Sequence, residues 1–444
     1  MKPYTRGHVI QWSGKSYDIP IHHNPIPAEA YKQIKADVDP GYPPDQNEDG
    51  LRVFDNGFSN TGIFEVMGNK GTIQYRGHHI EDLVARHSYL DTAYLLIYSK
   101  LPLKLESNQW TSAIQNCPLP SQAVFNVVQC FERASLRSSF PSAAPIMVTM
   151  AGLPAAITDK PQAVPSFVAK NLYLSNLPNV DAEIPRTITT YATVIAIAYC
   201  HATRRSFMPP NSDADFVENF LIMIGQVDQN TGHPDPLHVH ALETMWLLSA
   251  DHELTKSTAA LLHAASSFTD PISCFISALS SGYGLLHGDA IEVAYAQIQE
   301  VGKVENVPLL IDKVKRKGQR LFGYGHQIYR AVDLRSKIIK GILAGLLERE
   351  GREKDLTLDI AWGIDRIAGE DEYFVSRNLK CNADLFASFV YKAIGIHPRF
   401  RILFGSIGRM AGGLAHYRGA MSSRVPRIRH PQQVYIGPRQ APAA

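Results

Sequence analysis

The stretch RLFGYGHQIYRAVDLR, which spans Arg320–Arg335, is the part of the sequence that decides the predicted fold. Within it, Gly323 and Gly325 stand just before His326. Glycine lets the backbone turn sharply and lets a ligand approach closely, so the pattern indicates a histidine presented on a tight loop. Taken alone, a histidine beside glycines is as often a simple turn residue as a catalyst.

Two segments on either side of this stretch carry residues of the same kind. Upstream, Gly282–Glu292 reads GYGLLHGDAIE and contains His287. Downstream, Leu379–Ser388 reads LKCNADLFAS and contains Asp384 just before an apolar helical run. An aspartate in that position is more often a helix N-cap than a catalytic base. A functional interpretation therefore depends on the order and setting of the three motifs together.

Several other catalytic motifs are excluded by the sequence. His252 and Glu253 are followed by Lys256, where the zinc motif HExxH requires its second histidine. No GxxxxGK[ST] phosphate loop is present, and no GxGxxG follows a predicted strand. The segment Ser280–Gly282 does not form the GxSxG pattern of a nucleophile elbow. These absences leave the three motifs as the remaining candidates for chemistry.

A cluster of histidines is the only candidate for a metal site. It consists of His233, His238 and His240, in a proline-containing loop without an acidic or thiolate partner at ligand spacing. We therefore predict no metal and no cofactor. A zinc hydrolase that uses these histidines stays a third alternative, which elemental analysis of the purified protein would test.

The composition is that of a globular protein. The chain has 444 residues, 45% of them hydrophobic, and is long enough for more than one domain. The net charge of +2 gives no sign of a nucleic-acid-binding tail. The five cysteines are widely spaced without a CxxC pair, which favours a reducing compartment.

Targeting and membrane signals are weak or absent. The N-terminal segment lacks the apolar core of a secretory signal and the arginine-rich run of a mitochondrial presequence, and the chain does not end in the peroxisomal tripeptide. The most apolar run, near Ala143–Ile157, is interrupted by Pro145 and Pro154 and is shorter than the roughly 18 residues of a membrane span. We expect a cytoplasmic protein that binds neither membranes nor nucleic acid.

The hydrophobic pattern predicts a mainly α fold with a little β structure near the N-terminus. Residues 1–50 are rich in proline, glycine and polar groups, and predict an arm with little periodic structure. Extended pieces are expected at Leu51–Phe54 and Gly71–Tyr75. Helical spacing begins at Ile80 and predicts helices that include 187–205, 213–226, 239–249, 253–267, 289–301, 333–349 and 383–394.

Taken in order, these segments resemble those of the citrate synthase family. Gly282–Glu292 resembles the family's GPLHGGANE, Arg320–Arg335 its R-x-x-GFGH/GYGH…DPR, and Leu379–Ser388 its LYPNVDFYSG. Asp251–Thr258 (DHELTKST) resembles its DHE-x-x-x-ST, and Asp49–Leu83 its opening segment with the YRG tripeptide. The resemblance runs from about residue 49 to 438. These separated motifs agree, so chance is a poor explanation.

The resemblance implies a citrate synthase-like two-domain helical fold that forms a homodimer. It places a large domain with an N-terminal arm at 1–289 and a small CoA-binding domain at 290–395. Residues 396–444 return to the large domain, and their C-terminal part would reach the partner subunit.

The reaction implied by the resemblance is a condensation of an acyl-CoA with oxaloacetate, followed by hydrolysis of the adduct. Asp384 would be the general base that removes a proton from the carbon next to the thioester. His287 would donate a hydrogen bond to the thioester carbonyl and stabilise the enol. His326 would hold the ketone of oxaloacetate and protonate it as it becomes an alcohol.

The resemblance also implies residues that bind the two substrates. His252, Arg335 and Arg409 fall on positions that contact oxaloacetate, whose two carboxylates suit planar guanidinium groups. The candidates for CoA binding are Arg320, Gly323, Tyr324 and Arg330.

One departure from the family lies near the C-terminus. Family members carry an arginine there that reaches into the partner's site, and His430 falls on its position, with Arg429 beside it. A neutral histidine would hold a carboxylate less well than an arginine does. Either residue is a candidate for this role.

Further departures surround the acyl group of the substrate. Gly405 stands where the family usually has a phenylalanine, four residues before Arg409. Ile291 replaces an asparagine and Leu385 replaces a phenylalanine. Because interiors are close-packed, losing a benzyl group opens space. We predict an enlarged, more apolar pocket for a medium- or long-chain acyl-CoA, as in the alkylcitrate synthases of fungal secondary metabolism.

Two alternatives stay open within this family. Neighbouring side chains would refill the gap in an ordinary citrate or 2-methylcitrate synthase that uses acetyl-CoA or propionyl-CoA. A non-catalytic homologue would bind acyl-CoA or citrate as a sensor. The three retained catalytic side chains argue against the sensor, and the histidine near the C-terminus is the one feature in its favour.

Overall fold

The computed structural model describes residues 5–12, 14–21, 34, 63–67, 71–131, 142–158, 177–326, 329–350, 355–422 and 428–429. The chain divides into two compact units. The first consists of Met1–Gly62 and Arg429–Ala444, and the second of Ile63–Ile428. Every candidate site residue other than the two near the C-terminus belongs to the second unit.

The first unit contains an antiparallel hairpin of β1 (Thr5–Trp12) and β2 (Lys15–Ile21). The prediction of an arm with little periodic structure is therefore wrong for these residues. Ile10 and Tyr17 lie opposite each other and both favour strands. Gly14, with a φ of 72°, supplies the left-handed conformation that a tight hairpin turn requires. The predicted extended piece at 51–54 lies outside the described residues.

The second unit begins with a small antiparallel sheet. Its strands are β3 (Phe64–Met67), β4 (Thr72–Tyr75) and β5 (His78–His79), in the order β3-β4-β5. Strand β4 confirms the extended piece that was predicted there. The buried hydroxyl of Tyr75 donates a hydrogen bond of 3.1 Å to the carbonyl of Leu247, which ties the sheet to the helical core.

Helices make up most of the second unit. They are α1 (Ile80–Arg86), α2 (Tyr89–Tyr98), α3 (Lys104–Gln115), α4 (Gln122–Gln129), α5 (Ala143–Thr158), α6 (Leu177–Thr203), α7 (Phe216–Met223), α8 (Pro236–Ser249), α9 (Lys256–Ala265), α10 (Pro271–Gly282), α11 (Ala290–Val301), α12 (Val307–Lys317), α13 (Leu334–Glu350), α14 (Leu356–Glu370), α15 (Glu372–Val375), α16 (Asp384–Ala393) and α17 (Arg401–Met421). Short 3-10 turns occupy Val304–Asn306 and Pro398–Phe400. The mainly α prediction is confirmed, and the predicted helices correspond to α6–α9, α11, α13 and α16.

Helix α17 is a long helix that the sequence pattern did not predict. It contains glycines throughout, and glycine is unfavourable in helix interiors. A Cβ at Gly408 would lie 2.6 Å from the carbonyl oxygen of Trp246, and one at Gly412 would lie 2.5 Å from that of Ala250. These glycines therefore let α17 approach the end of α8 closely, and packing outweighs the poor propensity.

Helix α5 continues through the two prolines that interrupt the apolar run at Ala143–Ile157. Pro145 lies in its first turn, where an N–H group has no partner within the helix. Pro154 lies in the interior of the helix on an exposed face. Among the described helices, none combines the length and the apolarity that crossing a membrane requires. The cytoplasmic location stays a prediction.

Two groups of helices meet around the candidate site. Helix α17 packs against α2, α6, α8 and α9. Between residues 290 and 393, α16 packs against α11 and α13, and α14 packs against α12. Both α13 and α16 also contact α8, so the groups adjoin along this helix. The predicted domain boundaries at 289 and 395 stay a prediction.

Candidate active site

The loop that carries His326 is bound to the segment that precedes α16. Gly323 and Gly325 have φ angles of 83° and 76°, which side chains with a Cβ rarely adopt. The N–H of Gly325 donates to the carbonyl of Lys380 at 2.7 Å. Asn382 donates its backbone N–H to Gly323 and its side-chain amide to the carbonyl of Gly325, both at 2.9 Å. These bonds bring the His326 motif and the Asp384 motif together.

Asp384 is the first residue of α16, and Ala383 rather than Asp384 is its N-cap. The backbone N–H of Asp384 donates to the side-chain oxygen of Asn382 at 2.9 Å. Burial raises the pKa of the Asp384 carboxyl, and the charge of Arg335 opposes this effect. A carboxylate with a raised pKa is the stronger base, which suits proton abstraction. Asp384 is therefore not the N-cap of α16, and that alternative is wrong.

Arg335 is fixed by a buried carboxylate. Its Nη2 and Nε atoms donate to the two oxygens of Asp333 at 2.7 and 3.1 Å. Asp333 is 1% exposed and also accepts the N–H of Ala383 at 3.3 Å. Although burial disfavours its charge, this ion pair holds the pKa of Arg335 above its usual range. The guanidinium thus stays charged, and Nη1 faces no part of this ion pair.

His252, His326 and Tyr329 form a ring cluster beside this ion pair. The ring centroids of His252 and His326 are 5.2 Å apart, and those of His326 and Tyr329 are 4.4 Å apart. The Tyr329 hydroxyl lies 3.4 Å from Nε2 of His252. Burial and the charges of Arg335 and Arg409 lower the pKa of His252 well below its usual value. Arg335 and Arg409, which are both predicted to bind carboxylates, therefore lower the pKa of His252, which is predicted to bind oxaloacetate.

Arg409 lies on α17 and is held at the end of α8. Its Nε atom donates to the carbonyl oxygen of Ser249 at 2.5 Å. Burial lowers the pKa of Arg409, and the carboxylate of Asp251 opposes this effect. The charge of Arg409 also lowers the pKa values of His252 and His287, so its field reaches both histidines.

His287 is oriented by a serine that the sequence motifs did not single out. Its Nε2 atom lies 2.8 Å from Oγ of Ser257 and accepts the backbone N–H of Ser257 at 3.3 Å. That N–H belongs to the first turn of α9, where helix N–H groups lack internal partners. Since Nε2 accepts, the proton of the neutral ring is on Nδ1. A signal was present in the sequence, because Ser257 belongs to the DHELTKST segment.

Charge and burial keep both catalytic histidine candidates neutral. Burial, together with the charges of Arg409 and Lys256, lowers the pKa of His287 to about 4. Burial and the charge of Arg335 lower the pKa of His326 to about 4, although Asp333 opposes this effect. At neutral pH each ring therefore has one N–H donor and one nitrogen acceptor.

Two of the four predicted CoA-binding residues, Arg320 and Tyr324, line a cavity of about 250 Å³ that His326 also lines. Arg320, Tyr324 and Gly325 line this cavity, together with Phe374. The Tyr324 hydroxyl donates to the backbone carbonyl of Asp365 at 2.8 Å, so this side chain is fixed inside the protein. Arg330 is exposed, and its Nη1 donates to the carbonyl of His326 at 3.4 Å. Arg320 and Arg330 are thus the charged groups available to phosphates at this site.

The predicted acyl-pocket residues occupy different surroundings. Gly405 and Ile291 are half-buried, and space is open beside Gly405. Among the described residues, and apart from its own helix backbone, the only atom within 4 Å of a Cβ at Gly405 would be the hydroxyl oxygen of Tyr391, at 3.7 Å, an ordinary van der Waals contact. Leu385 is 1% exposed, and its Cβ would lie 2.8 Å from a Cβ at Gly323. Leu385 therefore packs against the loop that carries His326.

The remaining candidates are the histidine cluster and the two residues near the C-terminus. Nδ1 of the exposed His233 lies 3.0 Å from Oε1 of Glu218. Over the described residues, no three His, Cys, Asp or Glu side chains come together as a metal site. His430 lies outside the described residues. Arg429 is half-buried in the first unit, and burial lowers its pKa.

Comparisons with known proteins point to one family. The family model of the citrate synthase C-terminal domain matches residues 54–432. A citrate synthase-like protein of Aspergillus oryzae, oryE, is 45% identical over 437 residues, which are 97% of this chain and 95% of that protein. The alkylcitrate synthase phiJ of a fungal species is 32% identical over 96% of this chain and 92% of that protein.

A solved structure shares the fold. It is the ternary complex of citrate synthase from Thermoplasma acidophilum with carboxymethyl coenzyme A and oxaloacetate. It is 25% identical to this chain and has a TM-score of 0.74, and the match covers 87% of this chain and 95% of that chain. Family model, relatives and fold lead to one conclusion: the chain belongs to the citrate synthase family.

Proposed function

We propose that the protein condenses a medium- or long-chain acyl-CoA with oxaloacetate and hydrolyses the adduct to an alkylcitrate and CoA. Asp384 removes a proton from the carbon next to the thioester. Its raised pKa makes it a stronger base than an ordinary carboxylate, and the nearby charge of Arg335 favours its ionised form. The carbanion formed by this step then attacks the ketone carbon of oxaloacetate.

His287 stabilises the enol of the acyl-CoA in this proposal. Because Nε2 accepts hydrogen bonds from Ser257, the proton on Nδ1 is directed away from α9 and toward the thioester oxygen. A fixed donor of this kind stabilises developing negative charge without reorganisation during the reaction. His326 acts at the other substrate, where its N–H holds the ketone oxygen and delivers a proton to it.

Oxaloacetate binds among His252, Arg335 and Arg409 in this proposal. The two guanidinium groups lie close enough to act on the same histidine, which matches a small ligand with two carboxylates. The partner-subunit residue near the C-terminus, Arg429 or His430, stays a proposal that rests on the family resemblance. The homodimer it requires is likewise proposed, and light scattering of the purified protein would test it.

The observation that supports a longer acyl chain is the open space beside Gly405. A phenylalanine there would fill this space, whereas glycine leaves the hydroxyl of Tyr391 as the nearest atom across it. Each buried CH₂ contributes about 0.8 kcal/mol, so a chain that enters the space gains affinity with every carbon. The open space therefore favours an alkylcitrate synthase over a citrate or 2-methylcitrate synthase.

A free-thiol release assay tests this function. Purified protein receives oxaloacetate and acyl-CoAs from acetyl to dodecanoyl, and His326→Ala serves as the inactive control. We expect kcat/KM to peak at hexanoyl-CoA or longer, because the longer chains bury more apolar surface. A peak at acetyl-CoA or propionyl-CoA would identify an ordinary citrate or 2-methylcitrate synthase. No release with any of them would favour the non-catalytic binding protein.

The pH dependence of this activity follows from the same residues. We expect kcat/KM to be constant from about pH 6 to pH 8 and to fall as the pH approaches 4. His287 and His326 have pKa values of about 4, so they become cationic only in acid and are neutral above it. The carboxylate of Asp384 also becomes protonated as the pH falls. A pH–rate profile centred on the ordinary histidine value near 6.5 would contradict this assignment.

A further inference from the structure

The open space beside Gly405 ends at a buried phenol. Tyr391 lies on α16, seven residues after Asp384, and is 2% exposed. Two turns of a helix place residues at this spacing on the same face. Within the part of the chain that the structure describes, the Tyr391 hydroxyl has no hydrogen-bond partner. The same face of α16 therefore carries the proposed base at one end and an unpaired hydroxyl at the other.

Other buried tyrosines of this unit differ from Tyr391 in this respect. The Tyr89 hydroxyl donates to Ile407 at 2.8 Å, and the Tyr417 hydroxyl donates to Thr269 at 3.2 Å. Among the described residues, the fully buried polar atoms without a partner do not include the Tyr391 hydroxyl oxygen, so a water or ligand atom can reach it. A hydroxyl that has no protein partner and lies 3.7 Å from a Cβ at Gly405 is a place where an oxygen atom of the ligand can bond.

A buried arginine lies behind this hydroxyl. Arg401 precedes Gly405 by one turn of α17, is 1% exposed, and its Nη1 lies 3.2 Å from Oε2 of Glu292. Burial raises the pKa of Tyr391, and the charge of Arg401 opposes this effect. The phenol is therefore neutral and lies in a positive field, which favours donation of its proton to an oxygen of the ligand over acceptance.

We infer that Tyr391 is a specificity-determining residue that donates a hydrogen bond to an oxygen atom near the far end of the acyl chain. This inference rests on the proposed function. Its substrate class is a medium-chain acyl-CoA with a hydroxyl or keto group at that end. A plain alkyl chain of the same length leaves the Tyr391 hydroxyl unpaired and is the poorer substrate.

The helices set the distance between the reacting carbon and this oxygen. Gly405 lies one turn from Arg409 on α17, about 6 Å along the axis, and Tyr391 lies about 10 Å from Asp384 along α16. An extended chain covers about 3.5 Å for every three bonds. The oxygen is therefore expected roughly five to nine bonds from the reacting carbon.

Matched pairs of acyl-CoAs test this inference. The pairs are hexanoyl, octanoyl and decanoyl-CoA with their ω-hydroxy counterparts, each assayed for thiol release with saturating oxaloacetate. In the wild type, we expect kcat/KM to favour the hydroxylated member of at least one pair by about five- to tenfold, the effect of one hydrogen bond. Tyr391→Phe should remove this preference and leave the KM for oxaloacetate unchanged.

Tyr417→Phe is the matched control, because it also removes a buried tyrosine hydroxyl but lies elsewhere, and it should keep the preference. A wild type that favours the plain chain in every pair would overturn the inference, as would a Tyr391→Phe variant that keeps the preference. If that variant does not fold, the wild-type comparison decides alone.

The same pairs separate this inference from the proposed function. If no acyl-CoA, acetyl-CoA included, releases thiol, the proposed function fails, and calorimetric binding of the pairs takes the place of turnover. Tighter binding of an ω-hydroxy member that is lost in Tyr391→Phe would still support the role of Tyr391. Equal binding of both members of every pair would overturn it.

Discussion

Asp384→Asn is expected to lower the rate of thiol release by about a hundred- to ten-thousand-fold, the usual contribution of a general base. Asparagine keeps the size of the side chain but cannot accept the proton that must leave the acyl-CoA. The backbone N–H of Asp384 still donates to Asn382 in the variant, so the start of α16 is preserved. Steady-state kinetics with the preferred acyl-CoA gives the measurement.

The control for this prediction is a carboxylate that caps a helix and pairs with Lys392. Asp355 is the N-cap of α14, and its side chain accepts the N–H of Thr357 at 3.1 Å. Asp355→Asn should leave kcat nearly unchanged. The melting temperature should fall little in Asp384→Asn, because this carboxylate is not an N-cap. A variant at Asp384 that loses stability but keeps its turnover would show that the residue is structural.

Local patterns in the sequence were sufficient for the catalytic candidates. Glycines beside His326 and the asparagine before Asp384 are signals that a reader of the sequence can see within a few residues. The structure adds the reason for them, since Asn382 bonds to both Gly323 and Gly325. The helices α6–α9, α11, α13 and α16 were predicted where apolar residues recur at helical spacing, because their buried faces are continuous.

Local sequence patterns could not predict the contacts between distant segments of the chain. Ser257 orients His287 across thirty positions of the chain. Tyr391 lies in an apolar helical run, where a tyrosine is indistinguishable from an ordinary core residue until its unpaired hydroxyl is located. The glycines of α17 have a low helix propensity, so the sequence pattern did not predict this helix. The same glycines allow close contact with α8, and this packing stabilises the helix.

Gly405→Phe is expected to lower the ratio of kcat/KM for octanoyl-CoA to that for acetyl-CoA by roughly a hundredfold. A benzyl group in the open space displaces about four methylene groups of a long chain, which costs about 3 kcal/mol of binding at 0.8 kcal/mol each. Every 1.36 kcal/mol corresponds to about a tenfold change in rate. Acetyl-CoA does not reach this space, so its kcat/KM should change little.

Gly405→Ala is the matched control for the added side chain. A Cβ at this position would lie 3.7 Å from the Tyr391 hydroxyl, which is an ordinary contact, so alanine fits without filling the space. Both substitutions replace a glycine inside α17, where other residues favour the helix by up to about 1 kcal/mol. Thermal unfolding should therefore show no loss of stability that explains a change in selectivity. If Gly405→Phe keeps the preference of the wild type, the acyl chain takes another path, and the space beside Gly405 does not select the substrate.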